Sequence, residues 1–74
     1  MIVLIGPQST DDERGDLEET AGFLGAVRMT PDVDWALVTG FLVTPDWERC
    51  SGARADVAAA RVFGLPIEQL NTIR

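Results

Sequence analysis

The 74-residue chain has no histidine, no lysine and a single cysteine, Cys50. The missing histidine and lone thiol exclude a Cys/His zinc site. One cysteine cannot close an internal disulfide. Six arginines supply all the positive charge against twelve acids, for a net charge of −6. Phosphate contacts need a basic face, so duplex nucleic acid is not an expected partner. An acidic chain can instead occupy a partner's basic groove. The N-terminal run Ile2–Ile5 is too short for a signal peptide or a membrane span and has no basic flank. These features predict a cytoplasmic protein that makes no membrane contact, in a compartment where a lone thiol stays reduced. With 46% hydrophobic and 24% charged residues, the composition is that of a folded chain. Its length allows at most one domain, 1–74, with a small core. Homo-oligomerisation is the expected further support.

The apolar segments alternate with helix signals. Ile2–Ile5 reads as a strand buried on both faces, and Gly6-Pro7 stops it. Thr10-Asp11-Asp12-Glu13 and Asp16-Leu17-Glu18-Glu19 both have capping-box spacing. The acidic stretch from Gln8 to Gly15 reads as a loop, so the spacing predicts the first helix over about 16–24. Leu17, Ala21 and Leu24 then share one face, and Gly25 ends the helix. Ala26–Met29 reads as a short strand. Thr30-Pro31-Asp32 combines a Thr N-cap, a first-turn proline and an acid. It predicts a second helix carrying Val33, Trp35, Ala36 and Leu37, closed by Gly40. Phe41–Thr44 reads as the third strand. A third helix follows from about Gly52 to Phe63, with Ala55, Ala59 and Val62 on its inner face and Ala58 beside them. Gly64 and Pro66 end it, and Ile67–Leu70 reads as the last strand. From Asn71 the chain is expected to fray.

This βαβαβαβ order predicts a compact three-layer, flavodoxin-like (Rossmann-like) α/β fold: a four-stranded parallel sheet in the order 2-1-3-4 with three helices. The order reverses between the first and third strands. Loops leaving those strands begin at Gly6-Pro7 and at Pro45-Asp46-Trp47, and they should meet at the crevice where such sheets bind ligands.

The chain also resembles the nucleoside deoxyribosyltransferase superfamily, in particular its small, often phage-encoded branch. Ile5-Gly6-Pro7 is similar to the Gly-Pro that ends that branch's first strand. Gly25-Ala26-Val27-Arg28-Met29-Thr30-Pro31 is similar to its Gly-x-x-Val-x-Asn-Pro element. Thr44-Pro45-Asp46-Trp47-Glu48-Arg49-Cys50-Ser51-Gly52-Ala53-Arg54-Ala55-Asp56 is similar to Leu-Pro-Gly-Trp-Glu-x-Ser-x-Gly-Ala-x-x-Glu, and Gly64-Leu65-Pro66-Ile67 fits the last turn and strand. The resemblance is most specific over residues 40–67. The family's nucleophilic Glu is Asp56 here. The usual aspartate near Gly40 is replaced, and the long loop after the second strand is expected to be absent.

The resemblance implies a nucleoside or nucleotide ligand, no cofactor, and a carboxylate nucleophile, Asp56, that cleaves or transfers at the N-glycosidic bond. It implies ligand contacts from Gly6, Pro7, Asp46, Trp47, Ser51 and Gly52, and sites completed by a neighbouring subunit. Each residue has a plainer reading. Asp56 can be an acid favoured by the helix dipole and by Arg54 or Arg61. Ser51-Gly52 can be an ordinary cap, Gly6-Pro7 a strand terminator, and Trp47 and Trp35 packing residues. Cys50 lacks a histidine to activate it, although a helix start lowers thiol pKa values. Asp11, Asp12 and Glu13 can hold a divalent cation or form a solvated acidic loop. The alternative function is a non-catalytic, small acidic interaction protein that binds a nucleotide signal or blocks a host protein.

Overall fold

The computed structural model describes residues 1–70, so the expected fraying from Asn71 lies outside the described residues. Four parallel strands form one sheet in the order β2-β1-β3-β4, as the alternation predicts. They are β1 (Ile2–Ile5), β2 (Val27–Arg28), β3 (Gly40–Val43) and β4 (Ile67–Gln69). Among the described residues two α-helices accompany them, α1 (Asp11–Leu24) and α2 (Ser51–Phe63), rather than three. Among the described residues no helix is long and apolar enough to cross a membrane.

α1 begins five residues before the expected start. Thr10 is extended, and its Oγ1 accepts the Glu13 amide at 3.1 Å. The Glu13 carboxylate accepts the Ser9 amide at 2.9 Å. This reciprocal cap, with three acids in the first turn, outweighs the roughly 1 kcal/mol cost of Gly15 inside the helix. Gly25 ends α1 at φ 71°, a left-handed conformation that suits glycine. Leu17 and Ala21 face the sheet as expected, but Leu24 is exposed.

The predicted second helix does not form. Residues 30–39 make an irregular connection with one 3-10 turn, Trp35–Leu37. Thr30 Oγ1 does accept the Asp32 amide, but the Asp34 carboxylate then caps Ala36 at 3.0 Å and restarts the turn there. Asp32, Val33, Asp34, Val38 and Thr39 all have poor helix propensity. Val33, Trp35 and Val38 gain more by packing individually onto the sheet. Gly40, expected to close that helix, opens β3 instead.

α2 starts and stops near its expected bounds, and Gly64 caps it at φ 73°. Its inner face is Ala53, Val57 and Ala60, not Ala55, Ala59 and Val62. Both sets have helical spacing in this alanine-rich segment. Val57 packs into the core, whereas Val62, the valine of the expected set, is exposed.

The two sheet faces carry separate cores. Val3, Ile5, Phe41 and Val43 point to one face, under α2 and the 30–39 connection. Leu4 points to the other, where Leu17 and Ala21 of α1 cover it. The alternation follows from strand geometry. Because β2 and β3 flank β1 on opposite sides, crossovers of one hand place their connections on opposite faces. Gly6, just past β1, is hemmed in. A Cβ there would lie 2.8 Å from Thr44 Cγ2 and 2.9 Å from Leu17 Cδ1. We expect Gly6→Ala to cost about 1–3 kcal/mol through overpacking. A urea melt would measure it, and an unchanged midpoint would show that Leu17 and Thr44 move aside freely.

Candidate functional site

The C-terminal edge of the sheet holds two adjoining cavities. The smaller, about 190 Å³, lies between the loop leaving β1 and the start of α2. Gly6, Ser9, Cys50, Ser51, Gly52 and Asp56 contribute to its wall. The larger, about 560 Å³, opens between the loops after β1 and β2, where Arg14, Arg28, Met29, Thr30 and Trp35 meet Asp56. Gln8, Gly52 and Asp56 line both, so the two form one cleft with Asp56 at the junction.

Asp56 sits in the second turn of α2. Its carboxylate is half-buried and, among the described residues, has no hydrogen-bond or ion-pair partner. Burial alone raises its pKa above the ordinary aspartate value. Arg54, expected as a neighbouring charge, instead donates to the Glu48 carbonyl at 2.6 Å. The first turn of α2 also presents amides without helical partners to the cleft. Its N-cap is Cys50, not Ser51.

The opposite wall is tied together by Gln8. Its Nε2 donates to the Met29 carbonyl at 2.9 Å, and its Oε1 accepts from Arg28 Nη1 at 2.5 Å. Arg14 Nη1 donates to the Gln8 carbonyl at 3.2 Å. Each arginine also has an acid partner, Asp11 for Arg14 and Glu18 for Arg28. Two of the chain's six arginines thus converge on one cleft of an acidic protein.

The expected ligand residues divide between two places. Gly6, Ser51, Gly52 and Asp56 come together. Pro7 and Asp46 line a separate cavity of about 230 Å³, with Leu17, Thr44 and Arg49. Asp46 is occupied there. It accepts from Thr44 Oγ1 at 2.7 Å and from Arg49 Nη2 at 2.8 Å, and these two bonds hold its pKa below the ordinary value. Trp47 lines none of these cavities and packs against the α2-side core. Asp11, Asp12 and Glu13 form the first turn of α1. Among the described residues, no group of three or more candidate ligand side chains is placed to hold a metal ion.

Gln8, Arg14, Arg28, Met29, Thr30 and Trp35 were not marked as site residues by the sequence. Gln8 and Met29-Thr30 follow β1 and β2, so the rule that parallel strands bind at their C-terminal ends could have found them. The arginines carry no comparable signal.

Cys50 is the second unusual group. The Gln8 and Ala53 backbone amides and the Ser9 hydroxyl, 3.6 Å from Sγ, favour its thiolate and lower its pKa from 9.0 to about 7. At pH 7 this raises the thiolate fraction about 50-fold, while lower basicity costs roughly 6–10-fold in intrinsic nucleophilicity. We expect iodoacetamide to alkylate Cys50 about 5–10-fold faster than an unperturbed thiol at pH 7. The rate should level off about two pH units early. An inflection near 9 would show that the amides do not reach the sulfur.

The chain matches no protein-family model, no curated protein and no solved structure.

Proposed function

We propose that the cleft binds a nucleoside or nucleotide and that Asp56 presents its carboxylate to the sugar. The observation that carries this reading is the placement of Asp56, unpartnered and half-buried, where two cavities join at the C-terminal edge of a parallel sheet. Such an edge is the usual ligand site in sheets that reverse order next to the central strand. A carboxylate partly withdrawn from water and left without a partner costs stability, so a ligand-facing role accounts for it better than packing does.

The remaining walls suit the parts of such a ligand. Met29 and Trp35 offer apolar surface for a base. Arg14 and Arg28 offer donors to a phosphate, and the amides at the start of α2 offer donors to sugar hydroxyls or a phosphate. The irregular 30–39 connection adds Thr30 and Pro31 to the wall, where the sequence predicted a helix.

The chemistry is that of a retaining glycosyl transfer. An Asp56 oxygen attacks the anomeric carbon as the bond to the base nitrogen breaks, and the bonding pair leaves with the base, which takes a proton from solvent. Water or an acceptor base then attacks the same carbon, and the carboxylate is released unchanged.

A second reading, binding without turnover, is favoured by the same carboxylate. Aspartate is one methylene shorter than the glutamate of the resembled family. The retraction is roughly 1–1.5 Å, and a 1 Å misplacement costs about a hundredfold in rate.

A thermal-shift series with nucleosides, nucleoside 5′-monophosphates and ribose phosphates, with released base measured in the same samples, tests both readings. At 100 times Kd a ligand adds about 2.7 kcal/mol of stability. Stabilisation with base release supports the catalytic reading, and stabilisation alone supports binding. No shift with any of the three classes would sink both.

A further inference from the structure

α2 is apolar on more than the face it buries. Ala53, Val57 and Ala60 pack inward. On the outer side, Ala55, Ala58 and Val62 follow one another at helical spacing, and Val62 is 86% exposed. Phe63 is 59% exposed and stacks on Trp35, with ring centroids 4.5 Å apart. Leu37, in the same 3-10 turn as Trp35, is 61% exposed. α2 thus has a second apolar face opposite the buried one, with Arg54 and Arg61 on one flank and Asp56 on the other.

Charge points to what covers it. The chain carries twelve acids, yet Trp35–Phe41 and Val57–Ile67 contain none. The only charged residue in those two segments is Arg61. The acids lie in α1, in the 32–34 stretch, around the start of α2 and on β4. Two copies of a chain with net charge −6 repel each other across most faces, because like charges brought together are penalised. The outer face of α2 with the Leu37 turn lets them meet without setting carboxylate against carboxylate. A standard interface takes roughly 800 Å² from each partner. That is about a sixth of the 4747 Å² surface. A small core gives the chain a further reason to bury this surface.

We propose that the outer face of α2, centred on Val62 with Leu37 and Phe63 beside it, is the contact between two copies of this chain. The pairing is isologous, each α2 meeting the other. Ala55 and Trp35 also line the Asp56 cleft, so the cleft borders this face.

Sedimentation velocity over a concentration series tests the proposal. The wild-type chain should pass from monomer to dimer with a dissociation constant on the order of micromolar. Val62→Glu and Leu37→Glu each place an acid at an exposed position of this face. Each should weaken association at least about 30-fold while leaving the circular dichroism spectrum unchanged. Phe23→Glu, at a 91% exposed site on α1, should leave it intact. Two exposed sites are used so that poor folding of one variant leaves the other to decide. A wild-type chain that stays monomeric to millimolar concentration would overturn the proposal. So would a dimer that survives both α2-side substitutions, or one that Phe23→Glu alone disrupts.

Discussion

Asp56→Asn should abolish base release, by a factor of about 10³ or more, while leaving nucleotide binding within a few-fold of the wild type. The amide keeps the size and position of the carboxylate but cannot bond to the anomeric carbon and leave again. Single-turnover assays with the same nucleotide, beside a binding titration, separate the two effects. Retained turnover would remove Asp56 as nucleophile, and lost binding would make it a ligand contact. The wild-type rate should follow ionised Asp56. Because burial raises its pKa, the acid limb of the pH profile should lie above that of an ordinary aspartate. The same shift fixes the sign for stability. An acid whose pKa is higher folded than unfolded ionises more readily in the unfolded chain, so it destabilises the fold as pH rises through the unfolded value. Asp56→Asn should therefore be more stable than wild type at pH 7 and lose that advantage as pH falls below the unfolded aspartate value of about 3.9. A substitution that stabilises the fold and stops the chemistry would set Asp56 apart from a packing residue.

Leu4→Ala should produce the largest loss of stability. Leu4 is fully buried in the central strand, and the buried cluster on the α1 side is only Leu4, Leu17 and Ala21. Removing it takes the fully buried strand residue out of that cluster. Buried Leu→Ala substitutions cost about 2–5 kcal/mol, whereas a chain of this size has about 4–11 kcal/mol in total. A thermal melt followed by circular dichroism should show a Tm lower by at least about 10 °C. Val62→Ala, on the exposed face, should change Tm far less in dilute solution. Equal losses at the two positions would mean that the α1-side cluster does not anchor the helix.

The strands and their order were legible because each leaves a local mark. Ile2–Ile5 is an uninterrupted apolar run, Gly25 and Gly64 sit at helix ends, and the alternation of elements leaves few parallel topologies. The misreadings arose where local signals compete and tertiary contacts decide. Two capping boxes, at Thr10–Glu13 and Asp16–Glu19, compete to start α1, and the earlier one prevailed because its threonine and glutamate satisfy each other's side of the cap. Thr30-Pro31-Asp32 has the form of a helix start, but the aspartates and β-branched residues after it do not propagate one. α2 offers two faces of equal periodicity, each of two alanines and a valine, so its own sequence does not choose between them and the sheet does. In the candidate site, Asp56, Ser51, Gly52 and Gly6 were marked by helix and strand ends, and they converge. The arginine wall was not visible, because Arg14 lies on α1 and Arg28 on β2, brought together by the Gln8 hydrogen bonds and the Arg28–Glu18 pair.

The connection between β2 and β3 has a consequence for how such a protein changes over generations. It walls the cleft with Thr30, Pro31 and Trp35, yet only Val33, Trp35 and Val38 pack it to the α2-side core. Thr30, Pro31, Asp32 and Asp34 carry no buried apolar load, and no continuous helix has to be preserved across them. Loops of this kind accept substitution and insertion with little effect on the scaffold beneath. Variation there could re-select the ligand while the sheet and its two helices stay as they are, making this stretch the natural place to diversify in a library seeking new specificities.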